Sequence, residues 1–556
     1  MIASIKSTHF FQAINHSRLV LSNSQYRKRD RKGRANFADF RQRHGGDGLR
    51  GILPSLHGDR GCALIVGHPY PATAQIEAWL MKAFQLAGFT TVVLGNRRYD
   101  FIRYYRLAGN RSIFTFQDYG FEGDADWVKA RLPDLESVQD WLSLKYQNVH
   151  VGRFVLATTL AHFRVGQLDF ASVPVRDKMS ELLLQSVAYA KAGSRLLDHL
   201  QPTCLLLMDR GYSGQGEMFD LALGREIDVI TWNLGYKENR IVLKRYNCRN
   251  ERDHFLCPSS QSWATLRNAV WTPAHSARIR EELFQCYKSQ DWFSFSGTQF
   301  NKKLLSRQAT RDQIGLPPDK KVAVIFPHIL WDGSFFSGQD LFDDYTQWFA
   351  ETIKAACANP RMNWIVKLHP AHVVKARIAD SQDQPSELAV IDRAVGKLPG
   401  HVKLLYPDSD ISTYSMFDIA DYTITVRGTV GIESALFGVP PVTAGTGRYD
   451  RRGFTVDSTS RADYLHKLGI LETLPRLTPE QIELAERYAY GVFLCRPLRL
   501  TSASLEYNRD AVASKTFKIK CDTPQQWQDS TDMRQLVPWL LDRSSEDLPI
   551  GPEALS

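Results

Sequence analysis

The tetrapeptide Lys367-Leu368-His369-Pro370 puts an imidazole directly after an apolar run and stiffens the backbone behind it with proline. A histidine so placed can donate a hydrogen bond to a phosphate oxygen or act as an acid toward a departing phosphate. Taken alone, a His-Pro reads rather as a strand end tied to a loop; the company of the other polar knots reverses that preference. Arg427-Gly428-Thr429, followed by Val430-Gly431-Ile432-Glu433 and closed by Gly438-Val439-Pro440, reads as strand, tight loop, helix and stop. Gly428 lets a ligand approach the backbone, Thr429 suits an N-cap, and the amides of Val430 and Gly431 would face an anion with the helix dipole behind them. Counted from Thr429, Glu433 stands at N4, one position too late for a capping box, and a carboxylate there suits ribose hydroxyls.

Other groups have two readings each. Asp408, in Asp408-Ser409-Asp410, either caps the next helix or meets a base or ribose. Asp332, in Trp331-Asp332-Gly333 with Phe335 and Phe336 nearby, belongs to a lid over a sugar or to a hydrophobic turn. The stretch Asp209-Arg210-Gly211-Tyr212-Ser213-Gly214-Gln215-Gly216-Glu217 has the look of a phosphate cradle, yet it fits neither the P-loop nor the G-x-G-x-x-G order, and no lysine follows its glycines. It reads as an acceptor-facing or interdomain loop, with Asp209 or Glu217 as general base and His68 competing for that role.

These groups need a frame, and the sequence supplies one. Val322 to Phe326, Trp364 to Leu368, Val402 to Tyr406, Tyr422 to Val426 and Pro441 to Ala444 are short, β-rich runs, each followed by one of the polar knots. In an open α/β sheet, ligands sit beyond the carboxyl ends of the strands, so the knots should converge on one site for a phosphorylated ligand. A second set of runs, Cys62 to Gly67, Thr90 to Leu94, Thr203 to Met208 and Val229 to Asn233, predicts another β-α-β unit. Between them, residues 125–200 look helical, with Met179, Leu183, Val187 and Ala190 forming a core stripe. The expected class is α/β with two Rossmann-like domains facing each other across a cleft. The expected divisions are a leader at 1–60, a first domain at 61–305, a turn-rich hinge from Gln308 to Lys320, a second domain at 320–477, and a terminal helix with tail at 478–556.

The chain has 556 residues, more than one core usually organises. Its net charge is +9, but residues 1–60 hold 12 Lys and Arg against 4 Asp and Glu, so nearly all of the excess lies in that stretch. The body is close to neutral and lacks aromatic-basic interleaving, which argues against a nucleic-acid partner. The basic leader is expected to be disordered or to touch anionic lipid heads. Eight cysteines without C-x-x-C spacing read as reduced thiols of a cytoplasmic protein, not as metal ligands. No run has the length of a membrane span, and the first 30 residues lack a secretory apolar region.

Lys367-Leu368-His369-Pro370 and the run from Arg427 to Pro440, continued by Thr443-Ala444-Gly445 and Tyr449, resemble the capsule polysaccharide biosynthesis family. That family includes bacterial Kdo transferases and is more distantly similar to the CMP-sugar-using sialyltransferases of GT-B architecture. The resemblance covers Val322 to Leu468 best. It implies that His369 and Thr429 bind the nucleotide phosphate and Glu433 the nucleoside, with Lys367, Asp408, Arg427, Gly428 and Tyr449 completing the donor side. Relatives often show adjacent hydroxyl residues where this chain has Gly428-Thr429, and the acidic-pair-glycine motif that houses the sialyltransferase base is absent. The implied activity is transfer of a sugar from a nucleotide-activated donor, such as CMP-Kdo, to a glycan or glycolipid acceptor. No cofactor is called for. The place of work is the cytoplasm, with peripheral contact at the inner face of the plasma membrane through the leader. A CDP-glycerol glycerophosphotransferase, a nucleotide-sugar epimerase and a non-catalytic export or scaffold protein are the alternatives.

Overall fold

The computed structural model describes residues 24–44, 59–68, 70–95, 99–110, 112–379, 384–507 and 515–550. Each apolar run singled out above forms a strand. The first domain holds β1 (Cys62–Val66), β2 (Thr90–Leu94), β3 (Ile113–Phe114), β4 (Cys204–Leu207), β5 (Asp228–Leu234) and β6 (Arg240–Tyr246). The second holds β7 (Val322–Ile325), β8 (Asn363–Lys367), β9 (Val402–Leu405), β10 (Tyr422–Thr425) and β11 (Pro441–Thr443).

The first sheet runs β3-β2-β1-β4-β5 in parallel, with β6 added antiparallel to β5. The second is wholly parallel in the order β9-β8-β7-β10-β11. In both, the order reverses beside the domain's first strand, between β1 and β4 and between β7 and β10. These are the two switch points where a ligand crevice forms. The fold is thus two Rossmann-like domains, as the runs predict.

The strands lack polar alternation because both faces are covered. Ala63 and Ile65 of β1 enter one core while Leu64 and Val66 enter another. In β7, Val322 and Val324 face one core and Ala323 and Ile325 the opposite one. The helical stripe lies on the long helix Val173–Leu200, where Met179, Leu183, Val187 and Ala190 are all buried.

Three expectations need correcting. The hinge region opens with a regular helix, Arg307–Ile314, stopped by Gly315 in the left-handed region (φ +69°). Beyond Thr478 the chain is more than a helix and tail. After the helix Pro479–Ala489, β12 (Leu498–Arg499) joins the first sheet beside β6, and the hairpin β13 (Ala503–Tyr507) and β14 (Lys515–Ile519) follows. Leu505, Phe517, Trp527 and Leu536 of this segment share a core with Ile76 and Trp79 of the helix Pro71–Leu86, so this segment packs into the first domain. Finally, the expected leader contains a helix, Ser24–His44. Phe40 is fully buried and meets Tyr104 edge-on at 5.1 Å, with Phe37 beside it at 5.3 Å. Burying these rings offsets the ordering cost that a purely polar, basic stretch could not meet. The leader's other residues, 1–23 and 45–58, lie outside the described residues. Among the described residues, no helix is long and apolar enough to cross a membrane.

Candidate active site

At the carboxyl edge of the second sheet, side chains from several loops come together. Lys367 ends β8 and is buried, yet its ammonium makes no ion pair or hydrogen bond among the described residues. Burial, with Lys302 adding to it, brings its pKa down to about 7. Two residues on, His369 Nδ1 accepts a hydrogen bond from the Ala371 amide (3.2 Å), so the neutral ring carries its proton on Nε2. Burial first, then His372, Lys375 and Lys367, hold its pKa down to about 3. At neutral pH the ring is therefore an uncharged donor. Proline holds the turn after it, and the helix Ala371–Ala379 starts at once, carrying His372 and Lys375 on adjacent turns of one face. His372 is spent on the buried Glu387 (2.9 Å). Lys302 reaches in from the interdomain connection and donates to the carbonyls of Pro407 (3.0 Å) and Ser409.

The loop after β7 crosses from this edge to the first domain. Phe335 is buried in the first domain's core, and the Phe336 ring lies so close to Gly211 that a Cβ there would sit 2.1 Å from it. Asp332 bridges the two sides: its Oδ2 accepts from Lys375 Nζ (2.5 Å) and its Oδ1 from the Tyr212 hydroxyl (3.1 Å). Lys375 also lies over the Trp331 ring at 4.0 Å. Asp332 thus sits in a loop that spans the two domains like a lid.

Facing that lid is a cavity of about 550 Å³ at the β1/β4 switch point, lined by His68, Phe116, Tyr189, Asp209, Tyr212 and Gln215 among others. Asp209 holds its loop by accepting from the Gly211 amide (3.0 Å), while its own amide donates to Gln215 Oε1 (2.9 Å). Burial pushes its carboxyl up; Asp332 adds to the rise and the Gly211 amide opposes it. His68 is lowered to about 4 by burial and by Lys515, and its Nδ1 is buried without a partner among the described residues.

Several sequence candidates have other work. Glu217 is fully buried beneath the glycine loop, accepting from Ser213 Oγ (3.1 Å), the Gly214 amide (2.6 Å) and Ser186. It braces the loop and does not line the cavity, so the general-base reading of Glu217 is corrected to a structural one. Arg427 spends its guanidinium on Asp340, Tyr345 OH (2.9 Å), Thr446 O (3.0 Å) and Gln339 O (3.3 Å), which leaves it a loop clamp and not a free anion ligand. The Tyr449 hydroxyl donates to Gly428 O (2.7 Å) and fills the space where a Cβ on Gly431 would lie 2.2 Å away, bracing the loop from behind.

Thr429 is already helical (φ −54°, ψ −28°) and its side chain does not cap the helix Val430–Ala435. The Gly431 amide is not free for an anion, because it donates to Gly428 O (3.1 Å). Glu433 is buried and accepts from Tyr287 OH, while its Oε1 has no hydrogen-bond partner among the described residues. Burial raises its pKa to about 7, against the pull of Tyr287 and of the nearby Thr429 hydroxyl. Asp408 is exposed on the rim beside Lys302.

Sequence reasoning missed Lys302, Lys375 and Tyr212. Lys375 alone had a signal, its spacing of three from His372 on the helix behind His369.

No family model and no curated protein matches the chain. Among solved structures it is similar to a Thermosulfurimonas dismutans KpsC beta Kdo 2,4 transferase, at 14% identity over 60% of this chain and 87% of that one, with a TM-score of 0.32. It is similar to a UDP-GlcNAc 2-epimerase from Neisseria meningitidis bound to UDP-GlcNAc, at 11% identity over 78% and 97% and a TM-score of 0.29. The spinosyn rhamnosyltransferase SpnG follows at 11% identity over 78% and 95%, with a TM-score of 0.26. Superpositions this loose carry no argument about substrate or reaction, which rest on the site itself.

Proposed function

We propose that the protein is a glycosyltransferase that moves a sugar from a nucleotide-activated donor, CMP-linked as in CMP-Kdo, to a surface or capsular polysaccharide acceptor. One observation carries this reading. Lys302, Lys367, His369 and Lys375 converge at the second sheet's edge, and among the described residues Asp332 is the one carboxylate bonded to any of them. Three lysines and a neutral imidazole donor beside one bonded carboxylate suit a bound phosphate.

In the reaction, an acceptor hydroxyl oxygen attacks the anomeric carbon and the bond from that carbon to the phosphate oxygen breaks, its electrons leaving with the nucleotide. The hydroxyl proton passes to Asp209, whose carboxyl burial makes more basic than an ordinary carboxylate. The charge gathering on the phosphate meets the Nε2–H of His369 and the lysines, with the Thr429 hydroxyl at the edge of the loop after β10. Because His369 is held neutral, it serves as a hydrogen-bond donor and not as the acid considered from sequence. Tyr449 and Arg427 keep that loop in place, and Glu433 with its open Oε1 is kept for the nucleoside ribose.

A thermal-shift panel of CMP, CDP, UDP and GDP tests the donor, since a nucleotide that binds only the native form raises the melting temperature. CMP is expected to give the largest shift, with CMP-Kdo consumed in the presence of a glycan acceptor. A protein that responds to none of the four sinks the reading. Consumption of CDP-glycerol instead would identify a glycerophosphotransferase, and sugar inversion without transfer an epimerase.

A further inference from the structure

Among the described residues, Lys375 is the crevice cation held by a carboxylate at an exposed ion pair. Its ion pair with Asp332 is open to water, with side-chain exposures of 30% and 46%, so it is screened and easily exchanged. Asp332 in turn is positioned by a first-domain group: Tyr212 OH donates to its Oδ1 and accepts from the Gly333 amide (3.1 Å). Lys375 is near enough to His369 to lower its pKa, and both stand on the segment that leaves β8 at the crevice. A phosphate oxygen carries more charge and better acceptor geometry than a carboxylate already shared with a phenol.

We propose that Lys375 is a further phosphate ligand whose ammonium Asp332 occupies while the crevice is empty, and that nucleotide binding moves Lys375 from Asp332 to the phosphate. The idea rests on the reading of this crevice as a nucleotide-sugar site. Asp332 then acts as a built-in competitor: it holds the lid to the second domain through Lys375 and gives up that hold when the donor arrives. Trp331, with Lys375 4.0 Å above its ring, loses or changes that cation contact in the exchange.

Calorimetric titration with CMP, on the full-length protein and its variants, decides the matter. Removing the competitor in Asp332→Asn should tighten CMP binding about fivefold, because free Lys375 no longer has to be released. Tyr212→Phe, which removes the hydroxyl that positions Asp332, should shift affinity the same way by a smaller factor. Lys375→Ala should weaken binding about tenfold, with Lys375→Arg recovering most of the loss. CMP should also change tryptophan emission in the wild type, and Trp331→Phe should remove that change. A bridge with a merely structural role predicts the opposite sign, weaker binding in Asp332→Asn, and that result or an unchanged affinity overturns the exchange while leaving the nucleotide site standing. Failure of the wild type to bind any nucleotide overturns both.

Discussion

The two switch points share a strand order and differ in what they offer. The edge of the second sheet presents Lys302, Lys367, His369 and Lys375, while the cavity at the edge of the first is lined by aromatic and amide side chains with one carboxylate, Asp209. The same topology has been given opposite chemistry on its two sides. On the proposed reading, the lysines and the neutral imidazole donor take an activated phosphate, and the ring faces and amides around the half-buried carboxylate take a hydroxyl-bearing partner that must lose a proton. The division of labour thus lies in the loops, since the sheets beneath them are interchangeable.

The strongest way to break this contrast is to remove one key group from each side. Asp209→Asn should cut glycosyl transfer by about a hundredfold or more while nucleotide affinity stays within about twofold, because a lost general base affects the chemical step alone. His369→Ala should lower transfer by a similar factor and also weaken nucleotide binding, since its Nε2–H is assigned to the phosphate. Single-turnover rates and titrations on both variants check the pair. If Asp209→Asn loses nucleotide affinity instead, the two sides have been assigned the wrong way round.

The legible part of the fold is the part where local pattern and tertiary environment agree. Val322 to Ile325 is apolar at every position because two cores meet it, so a short continuous run was a sound signal. By contrast β6, with Arg240, Lys244 and Arg245, does not read as a buried strand. Its charges are absorbed by partners far away in sequence: Lys244 pairs with Asp547 (3.7 Å) and Arg245 donates to Ser545 O (2.6 Å). The same physics misled the reading of Arg427 and Glu217. Each looks like a functional group in its own motif, but Asp340 and Tyr345 for Arg427, and Ser186 for Glu217, come from other parts of the chain. Lys302 was illegible for the converse reason, since it belongs to the connection between domains and meets the site only in three dimensions. Phe37 and Phe40 did carry a signal, an i, i+3 apolar pair within a basic stretch, that the charge count concealed.

A sharper, smaller test uses pH. In the empty crevice burial holds Lys367 to a pKa of about 7, and an incoming phosphate raises it by favouring the ammonium. A group whose pKa is raised by binding contributes affinity that is complete below its free value and is lost as pH climbs toward its bound value. Donor affinity should therefore fall by up to about tenfold per unit above roughly pH 7. Lys367→Met should bind more weakly at pH 6.5 yet show no such slope, and taking the difference between the two proteins cancels the ligand's own ionisation. His369, held near 3, should add no step around pH 6. Equal slopes in wild type and variant would mean that Lys367 lies off the phosphate path.

The smallest effect separates the two carboxylates of the glycine loop, Asp209 and Glu217, which stand eight residues apart and looked alike in sequence. Glu217 accepts from two hydroxyls and an amide while fully buried, so an isosteric amide keeps part of that network and turns one acceptor into a donor facing the Gly214 N–H or a hydroxyl. Glu217→Gln should cost about 1–3 kcal/mol of stability, read from denaturant unfolding, because a buried group is left unsatisfied. Transfer per folded molecule should stay within about threefold of wild type, in contrast to the collapse expected of Asp209→Asn. Ser213→Ala, removing one donor to the same carboxylate, should move stability in the same direction by less. If Glu217→Gln instead abolishes turnover in fully folded protein, the buried carboxylate has a path to the reacting hydroxyl, and the base must be sought beneath the loop rather than at its rim.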